Sequence, residues 1–217
     1  MPVSYDYDSM ITVLVGAAEK RFTVHKDVIC VKSKFFRNAC SKRWPEGEEK
    51  IVRLPKARST RAFQIYMDWT YTNELVIDNV YRPTAGTRLV DKVIEIYLLG
   101  DVLDDVKLRN KALELLSVQF SASNRFPHWT RCNRIWDHTA SNSSLRKYLV
   151  DCMVTTLSLA GFKESGANYH ADLVLRAATM LMERREPVPD TDREGLNEMA
   201  EDLNERLEGY MEVEDDA

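Results

Sequence analysis

The feature that most constrains this chain is a change in the period of its apolar residues. Met10-Ile-Thr-Val-Leu-Val15 is a β-branched run closed by Gly16, and Arg21-Phe-Thr-Val24 alternates behind a short polar connection. The two segments predict a β-hairpin. From Lys26 the alternation gives way to steps of three and four, which predict helix as far as Cys40. Ser33 stands where it can cap a turn that carries Phe36 and Cys40 on one face. Lys50-Ile-Val-Arg-Leu54 interrupts this as a short strand that Pro55 ends.

Beyond Pro55 the spacing is helical to the end. Ala62, Ile65, Tyr66 and Trp69 share a face behind a cap at Ser59 or Thr60. Val90, Val93, Ile94, Tyr97 and Leu98 repeat the pattern, and so do Leu108, Ala112, Leu115, Leu116 and Phe120, with Asp104 or Asp105 as the start signal between them. Residues 121–142, rich in Ser, Asn and Arg and containing Pro127, form the expected connection, although Phe126, Trp129 and Trp136 argue that it packs on something. Leu145, Tyr148, Leu149, Cys152, Met153, Thr156 and Leu157 predict an amphipathic helix that Gly161 ends. A further helix is expected over 168–185, with Tyr169, Leu173, Ala177, Met180 and Leu181 inward. The expected organisation is an α+β domain over 1–120, in which helices cluster against a small sheet, a connection over 121–142, an all-helical extension over 143–189, and a tail over 190–217 that is helical or disordered.

Charge is uneven. The net formal charge of −4 combines an excess of 10 acidic residues from Asp190 onward with an excess of 6 basic residues before it. Lys32 to Arg61 contains 10 basic against 3 acidic residues. That stretch supports an alternative reading, a nucleic-acid-associated transcriptional co-regulator, but no recognition-helix motif or zinc finger accompanies it, so nucleic acid is not the expected partner. It is also a surface on which the acidic tail is expected to dock.

Other classes are disfavoured by composition and motif. With 44% hydrophobic and 29% charged residues the chain is neither disordered overall nor membrane-spanning. Asp6, Asp8 and Glu19 in the first twenty residues do not suit a secretory leader, so an intracellular protein, cytoplasmic or nuclear, is expected. Cys30, Cys40, Cys132 and Cys152 form no CxxC pair and are expected as reduced, buried thiols. His128, Cys132 and His138 lack a fourth ligand at a recognisable spacing, so no metal is expected. Without a glycine-rich phosphate loop, GxSxG or HExxH there is no expected cofactor or catalytic residue, and the chain is not expected to be an enzyme.

Several stretches in order resemble the BTB/POZ family. Val15-Gly16, Arg21-Phe-Thr-Val-His-Lys-Asp-Val-Ile-Cys30, Ser33-Lys-Phe-Phe-Arg37 and Ala39-Cys40 are similar to the family's strand, His-Lys turn and Ser-x-Phe-Phe helix. Ile51-Val-Arg-Leu-Pro55, Phe63, Tyr66, Trp69, Tyr71-Thr-Asn-Glu-Leu75 and Tyr97-Leu-Leu-Gly-Asp101 resemble later landmarks, and the texture is similar to that of fungal members. The resemblance covers about Met10 to Phe120. It implies a protein-interaction module that self-associates or serves as substrate adaptor or scaffold for a cullin-type ubiquitin ligase. The homodimer is left open, because Ser9 or Met10 stands where many relatives carry an Asp near the dimer interface. Trp44-Pro45-Glu46 lies where cullin-binding members often carry an apolar-x-Glu motif, so Trp44 is the candidate anchor and Glu46 the directed polar contact, with Phe36 and Tyr71 as further partner-binding candidates. Phe35, Phe36, Phe63, Tyr66 and Trp69 are also spaced as core residues. Asn73 stands at a left-handed turn position that Asn tolerates.

Overall fold

Strand β1 (Met10–Val15) sits between β2 (Lys20–His25) and β3 (Ile51–Leu54). It runs antiparallel to β2, with Met10 opposite His25 and Val15 opposite Lys20, and parallel to β3, with Thr12 opposite Ile51 and Val15 opposite Leu54. Being paired on both edges, β1 is the strand that needs an apolar run, and Ile11, Val13, Leu14 and Val15 are all buried. The edge strand β2 buries only Val24. The turn between them uses left-handed backbone at Gly16 (φ 74°) and Glu19 (φ 48°). The computed structural model describes residues 8–41, 50–55, 59–77, 86–123, 126–184 and 206–211.

The helical stretch expected over 26–40 is two short helices, α1 (Lys26–Lys32) and α2 (Lys34–Ala39), broken at Ser33. Ser33 adopts an extended conformation and has no exposed surface. Its N–H donates to Ile29 O at 3.1 Å, its Oγ accepts from Phe36 N–H at 3.1 Å, and its hydroxyl donates to Leu103 O. A hydroxyl can accept and donate at once, which is what a buried break between two helices demands.

Helix α3 (Thr60–Thr72) starts at Ser59, whose Oγ accepts from Ala62 N–H at 3.1 Å. It ends at Asn73 in the left-handed conformation (φ 60°, ψ 18°), as its residue type suggested. Helices α4 (Gly86–Leu103) and α5 (Val106–Ser123) follow. A Cβ at Gly100 would come within 3.1 Å of Arg109 Cγ and 3.3 Å of Leu108 Cδ2, so this glycine allows the close approach of α4 to the start of α5. The α+β fold is the one expected: Val13, Val15, Ile29, Phe36, Phe63, Tyr66, Ile94 and Tyr97 form a core between sheet and helices. Phe22 meets Phe63 edge-on at 4.9 Å.

The chain divides into two compact units, the first ending at Ala112 and the second beginning at Leu113. In the second, the stretch 121–142 contains a helix, α6 (Trp129–His138), which buries Cys132, Ile135 and Trp136. Helix α7 (Ser144–Thr156) was expected to be amphipathic. It is instead buried on most sides, Arg146, Val150, Asp151, Val154 and Thr155 included, because α6, α9 (Ala171–Arg184) and a 3-10 turn at Arg206–Tyr210 all pack on it. It ends at Leu157 rather than Gly161, since Ser158 caps the next helix, α8 (Leu159–Ser165), by accepting from Gly161 N–H at 3.2 Å. The Trp136 indole donates to Asp172 Oδ2 at 2.9 Å, and Arg176 Nε donates to the same oxygen at 2.9 Å. Trp136 first, and then Arg176 and Arg146, hold the Asp172 carboxyl below the usual carboxylate range.

Of the acidic tail, only 206–211 lies within the described residues. Leu207 is buried there and Tyr210 meets Tyr148 edge-on at 5.5 Å. This part of the tail is held by apolar contacts in its own unit.

Ser33→Ala removes the cap of α2 and leaves the buried Leu103 carbonyl without this donor. We expect it to lower stability by about 1–3 kcal/mol in a urea titration, more than an exposed Ser→Ala change in the same domain.

Candidate functional site

The last turn of α3 gathers residues from distant parts of the first unit. Trp69 is buried, and its indole N–H donates to Asp105 Oδ2 at 3.2 Å. The other carboxylate oxygen of Asp105 accepts from Leu108 N–H at 2.9 Å, so the same side chain caps α5. Asp105 is 1% exposed. Burial pushes its carboxyl up, while the bonds from Leu108 and Trp69 and the charges of Lys32 and Arg109 oppose that shift.

Lys32, at the end of α1, places its ammonium 5.1 Å from the centre of the Trp69 ring and donates to Asn73 Oδ1. The left-handed turn at Asn73 stops the helix and puts that oxygen within reach of Lys32. Two residues earlier, the Tyr71 oxygen accepts from His25 N–H at 3.2 Å and lies 2.8 Å from His25 Nδ1, with the two rings edge-on at 5.8 Å. The phenol is thus fixed against the end of β2 while 48% of the residue stays exposed. Glu74 and Val76, just beyond, are exposed as well, as is Val31 on α1. The result is an amphipathic surface whose aromatic member is held in place before any partner arrives. Such a group loses little conformational freedom on binding.

The expected site residues fare differently. Tyr71 is on the surface. Phe36 is corrected: it has no exposed surface, its N–H is held by Ser33, and its ring packs edge-on against Phe35 at 5.3 Å, so it supports the domain from inside and cannot touch a partner. Trp44 and Glu46 lie outside the described residues. Three of the described basic residues in the 32–61 stretch are engaged within the domain. Lys32 is engaged as above, Arg37 Nη1 donates to the carbonyls of Cys30 and Val31 at 3.3 and 3.1 Å, and Arg53 pairs with Glu19 at 3.6 Å. Lys42, Arg43, Lys56 and Arg58 lie outside the described residues.

Sequence reasoning missed the Trp69–Asp105 and Lys32–Asn73 pairs. Asp105 carried a signal as a helix start, but nothing in a linear pattern links it to an indole 36 positions away. Among the described residues, no group of three or more His, Cys, Asp or Glu side chains is placed to hold a metal ion, and no helix is long and apolar enough to cross a membrane.

A three-stranded sheet with one parallel and one antiparallel neighbour, the broken helix pair and the capped helices after it define an α+β interaction domain. The BTB/POZ domain family model matches residues 4–116, just over half of the 217-residue chain, and the chain belongs to that family of protein-interaction modules. No curated protein matches the chain.

The raised carboxyl of Asp105 has a definite sign in stability. Its contribution is complete below the ordinary aspartate range and is lost as pH rises through the folded value. Asp105→Asn keeps the size and the capping oxygen but cannot ionise. We expect the stability of this variant relative to the parent to improve between about pH 4 and about pH 7. Urea titrations at both ends measure it, and a difference that stays constant would show that Asp105 ionises as an ordinary aspartate.

Proposed function

We propose that this BTB/POZ module binds its protein partner through the end of α3 together with the stretch carrying Trp44 and Glu46, and that the partner is the scaffold of a cullin-type ubiquitin ligase, for which the chain acts as substrate adaptor. The observation that carries the docking surface is Tyr71, half exposed yet bonded through its hydroxyl to the end of β2. An aromatic anchor of this kind supplies large contact area at low entropic cost. The adaptor role is supported by Trp44-Pro45-Glu46, which has the residue types for an apolar insertion and one directed polar contact. The helical unit that begins at Leu113 would support or present the client. Such an adaptor works in the cytoplasm or nucleus, and a sequence texture similar to that of fungal members of the family supports a fungal-type module. The co-regulator reading has less support, because Lys32, Arg37 and Arg53 are already engaged within the domain.

The test is co-purification with a cullin scaffold, using the Trp44→Ala/Glu46→Ala double variant and Tyr71→Ala beside the parent. We expect each to weaken binding at least about tenfold, or ~1.4 kcal/mol, with an unchanged circular dichroism spectrum. Parent-like capture by the double variant would refute the anchor assignment. Absence of cullin capture by the parent itself, with light scattering showing a dimer that Tyr71→Ala dissociates, would make the same surface a self-association face.

A further inference from the structure

Cys30 and Cys40 lie on either side of the break between α1 and α2. Cys30 lies in α1 and is partly exposed, whereas Cys40 closes α2 (φ −86°, ψ 1°) and is buried. The two converge on one atom: Cys30 Sγ donates to Phe36 O at 3.5 Å, and Cys40 N–H donates to the same oxygen at 2.9 Å. The two thiols are near enough to shift each other's ionisation. The neighbouring Cys40 and burial push the Cys30 thiol up, while the neighbouring Cys30 and the Lys26 charge bring Cys40 down against its burial. Cys30 therefore keeps its proton, and Cys40 is the sulfur that ionises first. The other two cysteines differ. Cys132 donates to Pro127 O at 3.6 Å, and burial raises both its thiol and that of Cys152, the latter to about 12.

We propose that Cys30 and Cys40 form an oxidative modification site, which hydrogen peroxide converts into an intramolecular disulfide. The Cys40 thiolate attacks one peroxide oxygen, the O–O bond breaks, hydroxide leaves, and Cys40 becomes a sulfenic acid. The Cys30 sulfur then attacks that sulfur. The S–S bond forms, the S–O bond breaks, and the Cys30 proton leaves with the oxygen as water. Two thiols are oxidised by two electrons, and one peroxide is reduced to two waters. With Cys30 Sγ and the Cys40 amide on one carbonyl oxygen, side-chain rotation at the end of a short helix is what an S–S bond of about 2.05 Å requires.

The experiment treats the folded full chain with a modest molar excess of hydrogen peroxide, blocks remaining thiols by alkylation under denaturing conditions, and maps the tryptic peptides. The expected product is lighter by two hydrogen atoms, has lost two alkylatable thiols, contains Asp27–Lys32 linked to Asn38–Lys42, and reverts with dithiothreitol. Cys30→Ser, a change at the more accessible position, is expected to stop at a Cys40 sulfenic acid that dimedone traps. The proposal is overturned if the parent, shown folded by its melting curve, yields no linked peptide. It is equally overturned if Cys40 is over-oxidised while Cys30 stays alkylatable, or if the only cross-links join different molecules or involve Cys132 or Cys152.

Discussion

A single buried carboxylate holds the first unit in register. Asp105 receives the Trp69 indole on one oxygen and the Leu108 amide on the other, so it starts α5 and ties it to the end of α3 in the same act. Removing such a group from water is costly, and its two donors offset that cost only where both are in place. Ser33 works in the same manner at the other helix break, accepting from Phe36 and donating to Leu103. In both places a polar side chain at a break satisfies a helix end and a long-range partner together, which is why these breaks occur inside the fold and not only on its rim.

What this rigidity provides is a surface. With Trp69 fixed beneath it, Lys32 covers the indole ring and reaches Asn73, and the neighbouring Tyr71 is bonded to the end of β2. An exposed phenol on a moving loop would have to be ordered on binding, whereas one bonded at both ring nitrogen and backbone amide of His25 is already ordered.

The second unit follows a different logic. Helix α7 is surrounded rather than leaned upon, and its buried Arg146 is accommodated by backbone: the guanidinium donates to the carbonyls of Trp136 and Thr139 and lies 5.0 Å from the centre of the Trp136 ring. A residue that looks solvent-facing on a helical wheel is internal once three neighbours close around it.

The local parts of this structure were legible in the sequence. The hairpin, the cap at Ser33, a cap at Ser59 or Thr60, the left-handed Asn73 and a helix start at Asp104 or Asp105 each depend on residues within a few positions of one another, and side-chain period and capping chemistry act over that range, while the structure settles on Ser59 and Asp105. The family resemblance rested on the same local stretches, so it identified the α+β class and a protein-binding role, but not which aromatics would be outside. Tertiary structure alone decided that Phe36 is internal while Tyr71 is exposed, that α7 is enclosed, that Leu207 and Tyr210 lie against α7, and that Cys30 and Cys40 share one carbonyl. The physical reason is that burial and pairing are set by which elements meet in space, and the segments that meet here are separated by intervals that no period of two or 3.6 residues spans.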